Sequence, residues 1–355
     1  MSLAGSRGEQ YFDLEQPSER LRLDAVWVKV VSEKRLIILD EAQSYPELFP
    51  RLRGAIDADR SATGRFLLLG SVSPALMTRV SESLAGRLAI VYLTPFLLNE
   101  LGRSRLDDLW FYGGFPDGGI LQSEQFAVWQ SDYITLLAQR DFPQWGLPAE
   151  PQLTLRLLRM LAARHGQMWN ASEIGRSLAL THTTVSSYLD YLEGAFLIRR
   201  LQPFQANIRK RLIKSPKVYW RDSGLLHGML QVPSLNALFS VPQIGASWEG
   251  FVIEQILNAL QTKGLRAESY FLRTSDNYEL DLILDWGTQL WALEIKLTSS
   301  PDPSDMDALN KLASAIGVTK RILLSRCPTI SQGGSTILCD LPWLLENMTS
   351  LAGSS

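Results

Sequence analysis

The chain has 355 residues, 46% of them hydrophobic and 20% charged, which predicts two or three globular domains and excludes extended disorder. Its 35 basic and 37 acidic residues give a net charge of −2, so the chain is not a polycation that coats nucleic acid. Two cysteines and three scattered histidines exclude a disulfide framework and a zinc cluster. No apolar run is long enough for a membrane span and the N-terminus lacks a signal-peptide core, so we expect a cytoplasmic protein with no membrane partner.

The first hundred residues predict a parallel α/β sheet. Short runs of apolar residues, typical of strands that are buried on both faces, alternate with helical stretches. The expected strands lie at 11–14, 36–39, 66–69 and 88–93, and the expected helices lie at 48–58 and 75–84.

The rest of the chain predicts a helical middle and a second α/β region. Residues 106–150 have a helical pattern, and residues 151–205 predict a winged-helix-like module of two capped helices and a strand. In that module Asn170 and Thr181 are the expected helix caps. A further α/β domain is expected over 206–345.

Two carboxylates directly follow the second predicted strand. Asp40 and Glu41 come after the apolar run at 36–39, and P-loop ATPases use this arrangement to hold the Mg²⁺ shell and to polarise the attacking water. Ser71 follows the next strand, where a polar side chain can contact a γ-phosphate, and Arg87 is suited to an arginine finger. An apolar strand that ends in two acids is also common in proteins without this chemistry.

A β-hairpin with charged residues on one face is predicted around the turn at 286–289. Its register places Asp281 opposite Glu294, with their side chains ~5 Å apart, and Lys296 on the same face as Glu294. Two carboxylates that hold Mg²⁺ or Mn²⁺ beside a lysine suit the hydrolysis of phosphodiesters. The alternative is a solvated strand face that carries these charges without a metal.

A basic stretch precedes this hairpin. Residues 194–221 contain eight basic residues and no acid, in a chain whose net charge is negative. This asymmetry fits contact with a phosphate backbone without sequence reading, and we expect DNA as a partner. The expected contacts are Arg199, Arg200, Arg209, Lys210, Arg211, Lys214 and Lys217. The alternative is that these bases face neighbouring domains or carboxylates.

Several short motifs together resemble one protein family. They span nearly the whole chain and include Asp40-Glu41-Ala42-Gln43, Gly70-Ser71, Ser83-Leu84-Ala85-Gly86-Arg87, Gly113-Gly114-Phe115-Pro116 and Trp248-Glu249-Gly250-Phe251. The sequence is similar to a large prokaryotic family of AAA+-superfamily ATPases. Members of that family carry a C-terminal domain of unknown function that is related to PD-(D/E)XK nucleases.

The resemblance implies that Asp40 and Glu41 form a Walker B motif that acts on ATP, that Ser71 is sensor-like and that Arg87 is the finger. Family members begin with a strand and a phosphate loop that ends in Gly-Lys-Thr, but this sequence contains no Gly-Lys dipeptide. MgATP would lose its backbone cradle and its lysine, so we expect no ATP hydrolysis. Truncation is favoured over degeneration of the ATPase as the explanation, and the exposed strand edges favour a homo-oligomer.

In the C-terminal half the resemblance implies a nuclease-like metal site. Asp281, Glu294 and Lys296 match the PD-(D/E)XK motif, and its helical acid matches Glu249, with Glu254 as the alternative. The implied fold class is α/β. It comprises an incomplete parallel P-loop-type sheet over 1–105, a helical and winged-helix middle, and a C-terminal restriction-endonuclease-like α/β domain.

The sequence therefore favours a nucleotide-regulated, DNA-binding protein with a nuclease-like domain that depends on Mg²⁺ or Mn²⁺. The alternative, from a different class, is a non-catalytic interaction scaffold in which the ATPase and the nuclease folds are both degenerate.

Overall fold

The computed structural model describes residues 10–33, 35–70, 84–144, 146–147, 150–205, 212–276 and 278–353. The chain divides into two compact units, Met1–Tyr92 and Leu93–Ser355. Most of the predicted helix at 75–84 lies outside the described residues, as do Ser71, Arg209, Lys210 and Arg211. Within the described part of the chain, no helix combines the length and the hydrophobicity that crossing a lipid bilayer requires.

A parallel three-stranded sheet forms the centre of the first unit. Its order is β1-β2-β3, and the elements are β1 (Gln10–Asp13), α1 (Pro17–Ser32), β2 (Ile37–Asp40), α2 (Leu48–Ala58) and β3 (Phe66–Leu68). Three of the four predicted strands are therefore present. They pair in parallel because a helix between consecutive strands returns the chain to the starting edge of the sheet.

The fourth predicted strand, at 88–93, is absent from the structure. These residues have no regular secondary structure, and Val91 and Leu93 are 87% and 99% exposed. An apolar run becomes a strand only where a neighbouring strand accepts its hydrogen bonds. Among the described residues no strand pairs with this segment, so the prediction is wrong at this position.

The second unit begins with a helical region. Its helices are α3 (Leu98–Leu101), α4 (Leu106–Tyr112), α5 (Phe126–Leu136), α6 (Phe142–Gln144), α7 (Pro151–Ala163), α8 (Ala171–Leu178) and α9 (His182–Gly194). Asn170 and Thr181 cap α8 and α9 as predicted, because their side-chain oxygens accept hydrogen bonds from the backbone N–H of Glu173 and Thr184. The strand β4 (Ile198–Pro203) follows. The winged-helix assignment of this element order stays a prediction.

An eight-stranded mixed sheet organises the rest of the second unit, in the order β10-β11-β9-β8-β7-β6-β4-β5. The further strands are β5 (Lys217–Trp220), β6 (Glu268–Arg273), β7 (Glu279–Asp285), β8 (Leu290–Ile295), β9 (Lys320–Leu324), β10 (Ser331–Gly333) and β11 (Thr336–Cys339). The further helices are α10 (Ser223–Met229), α11 (Leu235–Leu238), α12 (Ile244–Thr262), α13 (Pro303–Ile316) and α14 (Leu341–Gly353).

The hairpin of β7 and β8 has the predicted register, because Leu282 pairs with Leu293 and Asp285 pairs with Leu290. Leu282 and Leu293 belong to a core that includes residues of α12 and α14. Ile283 belongs to a second core that includes residues of α13. Apolar groups thus pack on both faces of the hairpin, and a charged side chain there needs a partner within the protein.

Candidate metal centre

Four carboxylates come from the elements around this hairpin. Glu249 comes from α12, Glu279 and Asp281 come from β7, and Glu294 comes from β8. Glu279 and Asp281 share one side of β7 because strand side chains two residues apart point the same way. Carboxylate oxygens of Glu249, Glu279 and Asp281 all lie within 4.8 Å of one another.

Gly250 allows α12 to pack closely against β5. A Cβ atom at this position would lie 2.3 Å from Nε2 of His165 and 3.0 Å from Cδ1 of Tyr219, so any larger residue would force the helix away. This close packing brings the neighbouring carboxylate of Glu249 to β5. Oε1 of Glu249 contacts Nζ of Lys217 at 2.8 Å and accepts a hydrogen bond from the hydroxyl of Tyr219.

Lys217 lies among the carboxylates of this cluster. It is only 4% exposed, and its ammonium contacts Glu279 as well as Glu249. Burial alone would lower the pKa of Lys217, but Tyr219 and the surrounding carboxylates outweigh burial and hold that pKa well above its usual value. The cluster therefore contains an ammonium at neutral pH.

Burial and neighbouring charges shift the pKa values of Asp281 and Glu294. Burial and then the negative charges of Glu249 and Glu294 raise the pKa of Asp281 well above its usual value. Burial also raises the pKa of Glu294, although Lys296 opposes the shift. Oδ2 of Asp281 accepts a hydrogen bond from the backbone N–H of Ile295 at 2.8 Å. Oε2 of Glu294 is buried and has no hydrogen-bond partner.

Lys296 lies where the hairpin register predicts it, next to Glu294. Its Nζ lies 2.8 Å from Oε1 of Glu294 and 3.9 Å from Oδ1 of Asp305. Burial would lower the pKa of Lys296, but the hydrogen bond and the charge of Glu294 outweigh burial, so this pKa lies above its usual value. Lys296 is therefore an ammonium at neutral pH.

The donor set suits a hard divalent cation. All candidate ligand atoms are carboxylate oxygens, which Mg²⁺ and Mn²⁺ prefer, whereas zinc favours histidine and cysteine. The unpaired Oε2 of Glu294 is a buried polar atom that a cation would provide with a partner. Among the described residues the structure brings Glu249, Glu279 and Asp281 within reach of one ion, whereas Glu294, the third predicted ligand, lies outside this group of three.

Glu254, the alternative helical acid, has other partners. Its carboxylate contacts Arg199 and lies 3.1 Å from Nε of Arg221. Burial alone would raise the pKa of Glu254, but the two guanidiniums outweigh burial and lower it. Arg221 also donates to Oδ1 of Asn258. The structure therefore places Glu249, and not Glu254, in the carboxylate cluster.

In the first unit Asp40 and Glu41 lie at the end of β2, as predicted. Oδ2 of Asp40 accepts a hydrogen bond from the hydroxyl of Tyr11 at 2.6 Å, and Oδ1 accepts one from the backbone N–H of Glu41 at 3.0 Å. The hydrogen bond between Tyr11 and Asp40 raises the pKa of Tyr11 to about 12. Glu41 has a left-handed backbone with φ of 47°, and its carboxylate accepts from the amide of Gln43.

Arg87, the predicted arginine finger, forms hydrogen bonds with an acidic residue of the first unit. Its guanidinium donates to both carboxylate oxygens of Asp57, each at 2.9 Å. These hydrogen bonds, with those from Arg60, lower the pKa of Asp57 to about 2. In this structure Arg87 is thus engaged by α2, the helix that carries Asp57.

Three family models match the chain in succession. An AAA domain matches residues 3–102, and two domains of unknown function, DUF8612 and DUF4143, match residues 103–236 and 244–344. Uncharacterized proteins of Mycobacterium tuberculosis (Rv2008c) and Mycobacterium bovis (Mb2031c) are each 41% identical over 300 residues, which cover 84% of this chain and 67% of each relative. The chain belongs to an AAA-like ATPase family with a C-terminal domain of unknown function.

Two more distant similarities accompany this family assignment. An uncharacterized protein of Haemophilus influenzae is 24% identical over 213 residues, which cover 54% of this chain and 52% of that protein. The crystal structure of protein VC1899 from Vibrio cholerae aligns with 94% of this chain and 79% of its own, at 13% identity and a TM-score of 0.24. A TM-score this low does not indicate a shared fold.

Three of the predicted DNA contacts that the structure describes are directed at carboxylates. Arg199 contacts the buried Glu254, Lys217 contacts the partly buried Glu249, and Arg200 donates to the carboxylate of Glu193. Their charges are already compensated inside the protein, which is the alternative that the sequence left open. Lys214 is exposed, and the other three predicted contacts lie outside the described residues.

Sequence reasoning missed Glu279 and the true position of Lys217. Glu279 had a detectable signal, because it lies two residues before Asp281 and must share its side of the strand. Lys217 and Tyr219 have the same spacing on β5, and both reach Glu249. Nothing local in the sequence, however, indicates that β5 and β7 contribute to one cluster.

Proposed function

We propose that the second unit hydrolyses phosphodiester bonds of DNA with the help of bound Mg²⁺ or Mn²⁺. The proposal is carried by the convergence of Glu249, Glu279 and Asp281, whose carboxylate oxygens lie within 4.8 Å of one another. On the next strand Lys296 pairs with Glu294, whose buried Oε2 has no hydrogen-bond partner. Like charges at this separation repel one another and resist ionisation. A divalent cation relieves that repulsion and provides the charge that a phosphate substrate requires.

In this proposal the carboxylates, Lys296 and the backbone of Ile295 have different tasks. Glu249, Asp281 and Glu294 would hold the cation, which supplies positive charge against the phosphate when bound. Lys296 is already protonated, so it would orient water or the phosphate by donating hydrogen bonds. The backbone N–H of Ile295 fixes the carboxylate of Asp281.

For DNA contact we propose a non-specific role for residues 209–214 of the basic stretch, of which the structure describes Lys214 as exposed. Replacing Arg209, Lys210 and Arg211 by Ala should weaken DNA binding, and each lost phosphate contact should lower the salt slope by roughly 0.9. An unchanged slope in the triple variant would place the contacts elsewhere.

For the first unit we propose an ATP-related role in which Asp40 and Glu41 are the Walker B pair. The AAA-domain match supports this role. Because the sequence has no Gly-Lys dipeptide to supply the phosphate-binding lysine, this chain would bind MgATP weakly and would not hydrolyse it.

The metal centre can be tested by melting curves and DNA cleavage with and without millimolar Mn²⁺. We expect Mn²⁺ to raise the melting temperature of the wild-type chain, because it binds the folded state. Asp281→Asn should lose the rise and any cleavage. The matched control is Asp307→Asn, an exposed acid on α13, which should keep both. Equal shifts in wild type and Asp281→Asn would contradict the proposal.

The second candidate function is a non-catalytic interaction scaffold, and Lys217 is the observation that favours it. Its ammonium already neutralises part of the cluster, as an internal substitute for a metal would. If the wild-type chain shows neither an Asp281-dependent shift with Mn²⁺ nor cleavage, the scaffold is the better description.

A further inference from the structure

Lys217 and a divalent cation would use the same carboxylate. Oε1 of Glu249 contacts the ammonium at 2.8 Å and also accepts the hydroxyl hydrogen of Tyr219. Glu249 and Glu279, the two carboxylate partners of Lys217, are with Asp281 the three acids whose oxygens lie within 4.8 Å of one another. A cation that takes Glu249 as a ligand therefore meets an oxygen that already has two donors.

The repulsion between an ammonium and a divalent ion in this cluster is poorly screened, because the groups are largely buried. Lys217 nevertheless has a second carboxylate partner in Glu279. The other oxygen of Glu279 contacts Nη1 of Arg273 at 3.2 Å, so Glu279 is held in place independently of Lys217. An ion held by Glu249, Asp281 and Glu294 would therefore displace the ammonium from Glu249 and leave it paired with Glu279.

We propose that Lys217 is an internal competitor of the divalent cation and that it sets the affinity of the metal centre. Its ammonium must leave Glu249 before the ion binds, and Glu279 retains it afterwards. This inference rests on the proposed function, because it assigns a regulating residue to the same centre. At low cation concentration the ammonium of Lys217 then occupies Glu249, and the cation replaces it there as the cation concentration rises.

The test is a titration of the full chain with Mn²⁺, read by calorimetry. Lys217→Met keeps the bulk of the side chain and removes its charge, and we expect it to bind Mn²⁺ roughly tenfold more tightly or better. Lys217→Arg keeps the charge and should not gain affinity. The matched control is Lys214→Met, an exposed lysine three residues away, which should bind as the wild type does.

The outcomes separate this inference from the proposed function. If wild type and Lys217→Met bind Mn²⁺ equally, and Asp281→Asn abolishes binding, the metal centre stands and the competition is refuted. If none of these proteins binds Mn²⁺ in a manner that depends on Asp281, the proposed function and this inference both fail.

A second measurement needs no Lys217 variant and so covers the case in which Lys217→Met does not fold. The wild-type chain is treated with an amine-acylating reagent with and without Mn²⁺, and labelled lysines are identified by mass spectrometry. Lys217 should be labelled several-fold more with Mn²⁺, because the ion removes Glu249 as a partner of the amine and so frees it to react. Exposed Lys214 serves as the internal reference. Asp281→Asn should show no increase, and constant labelling of Lys217 in the wild type would overturn the inference.

Discussion

The candidate site acids of the two units differ in burial and in hydrogen-bond partners. In the first unit Asp40 and Glu41 are only half-buried, and their hydrogen-bond donors include a tyrosine hydroxyl, a glutamine amide and a backbone N–H. In the second unit Glu254, Asp281 and Glu294 are buried, and arginines or lysines surround them. Solvent compensates charge in the first case, and the protein must supply the compensation in the second.

The largest expected effect of this difference concerns Glu254. Glu254→Gln keeps the size of the side chain but leaves Arg199 and Arg221 without their counter-charge. Removing one partner of a buried ion pair costs about 3 kcal/mol or more, so we expect a loss of that order in the free energy of unfolding. Urea denaturation followed by tryptophan fluorescence measures it, because nine of the ten tryptophans follow residue 92.

A matched control for this variant is Glu346→Gln, an exposed glutamate on α14 in the same unit. It should change the free energy of unfolding by less than about 0.5 kcal/mol. A similar loss in the free energy of unfolding for both variants would show that burial does not determine how much these charges contribute to stability.

The next effect is a pH dependence that arises at Asp222. Burial raises the pKa of Asp222 to about 6, although the backbone N–H groups of Gly114 and Leu225 donate to it. The folded state then holds this proton more tightly than the unfolded chain. The contribution of Asp222 to stability is therefore full below about pH 4 and is lost as pH rises through about 6, a change of about 3 kcal/mol.

Asp222→Asn should abolish this contribution and leave the other titrating groups in place. The difference in free energy of unfolding between wild type and variant is expected to change by about that amount between pH 4 and pH 7. Curves that stay parallel over this range would assign the pH dependence to other residues.

Two glycine substitutions should have opposite signs in the two units. Gly250→Ala places a methyl group against His165 and Tyr219, and overpacking of this kind costs about 1–3 kcal/mol. Gly54→Ala in α2 meets nothing within 4 Å and should stabilise the first unit by about 0.5–1 kcal/mol. Thermal melts of the two variants test the contrast, and a stabilised Gly250→Ala would contradict the packing of α12.

The smallest expected effect is on ATP hydrolysis. We expect no turnover above background with Mg²⁺, and Glu41→Gln should leave that background unchanged, because the sequence offers no Gly-Lys dipeptide for the phosphates. Steady turnover that Glu41→Gln abolishes would refute this expectation. The assay is phosphate release by the full chain.

The sequence was informative wherever a local pattern determined the structure. The register of β7 and β8 followed from the short turn around Gly287, which has a φ of 81°, and from alternating side chains. The cluster itself was only half predictable, because Lys217 and Glu279 are distant in sequence and meet through the packing of the second unit. The prediction of a strand at 88–93 is wrong for the same reason. Strand pairing depends on a neighbouring strand, and an apolar run does not show whether one is present.

The position of β4 has a consequence for how the second unit unfolds. β4 pairs with β5 on one side and with β6 on the other, so one sheet extends across residues matched by two family models, 103–236 and 244–344. Fragments divided between these models would each expose unpaired backbone along a sheet edge. The two domains of unknown function should therefore unfold in a single cooperative transition, and neither should be expressed alone as a stable protein.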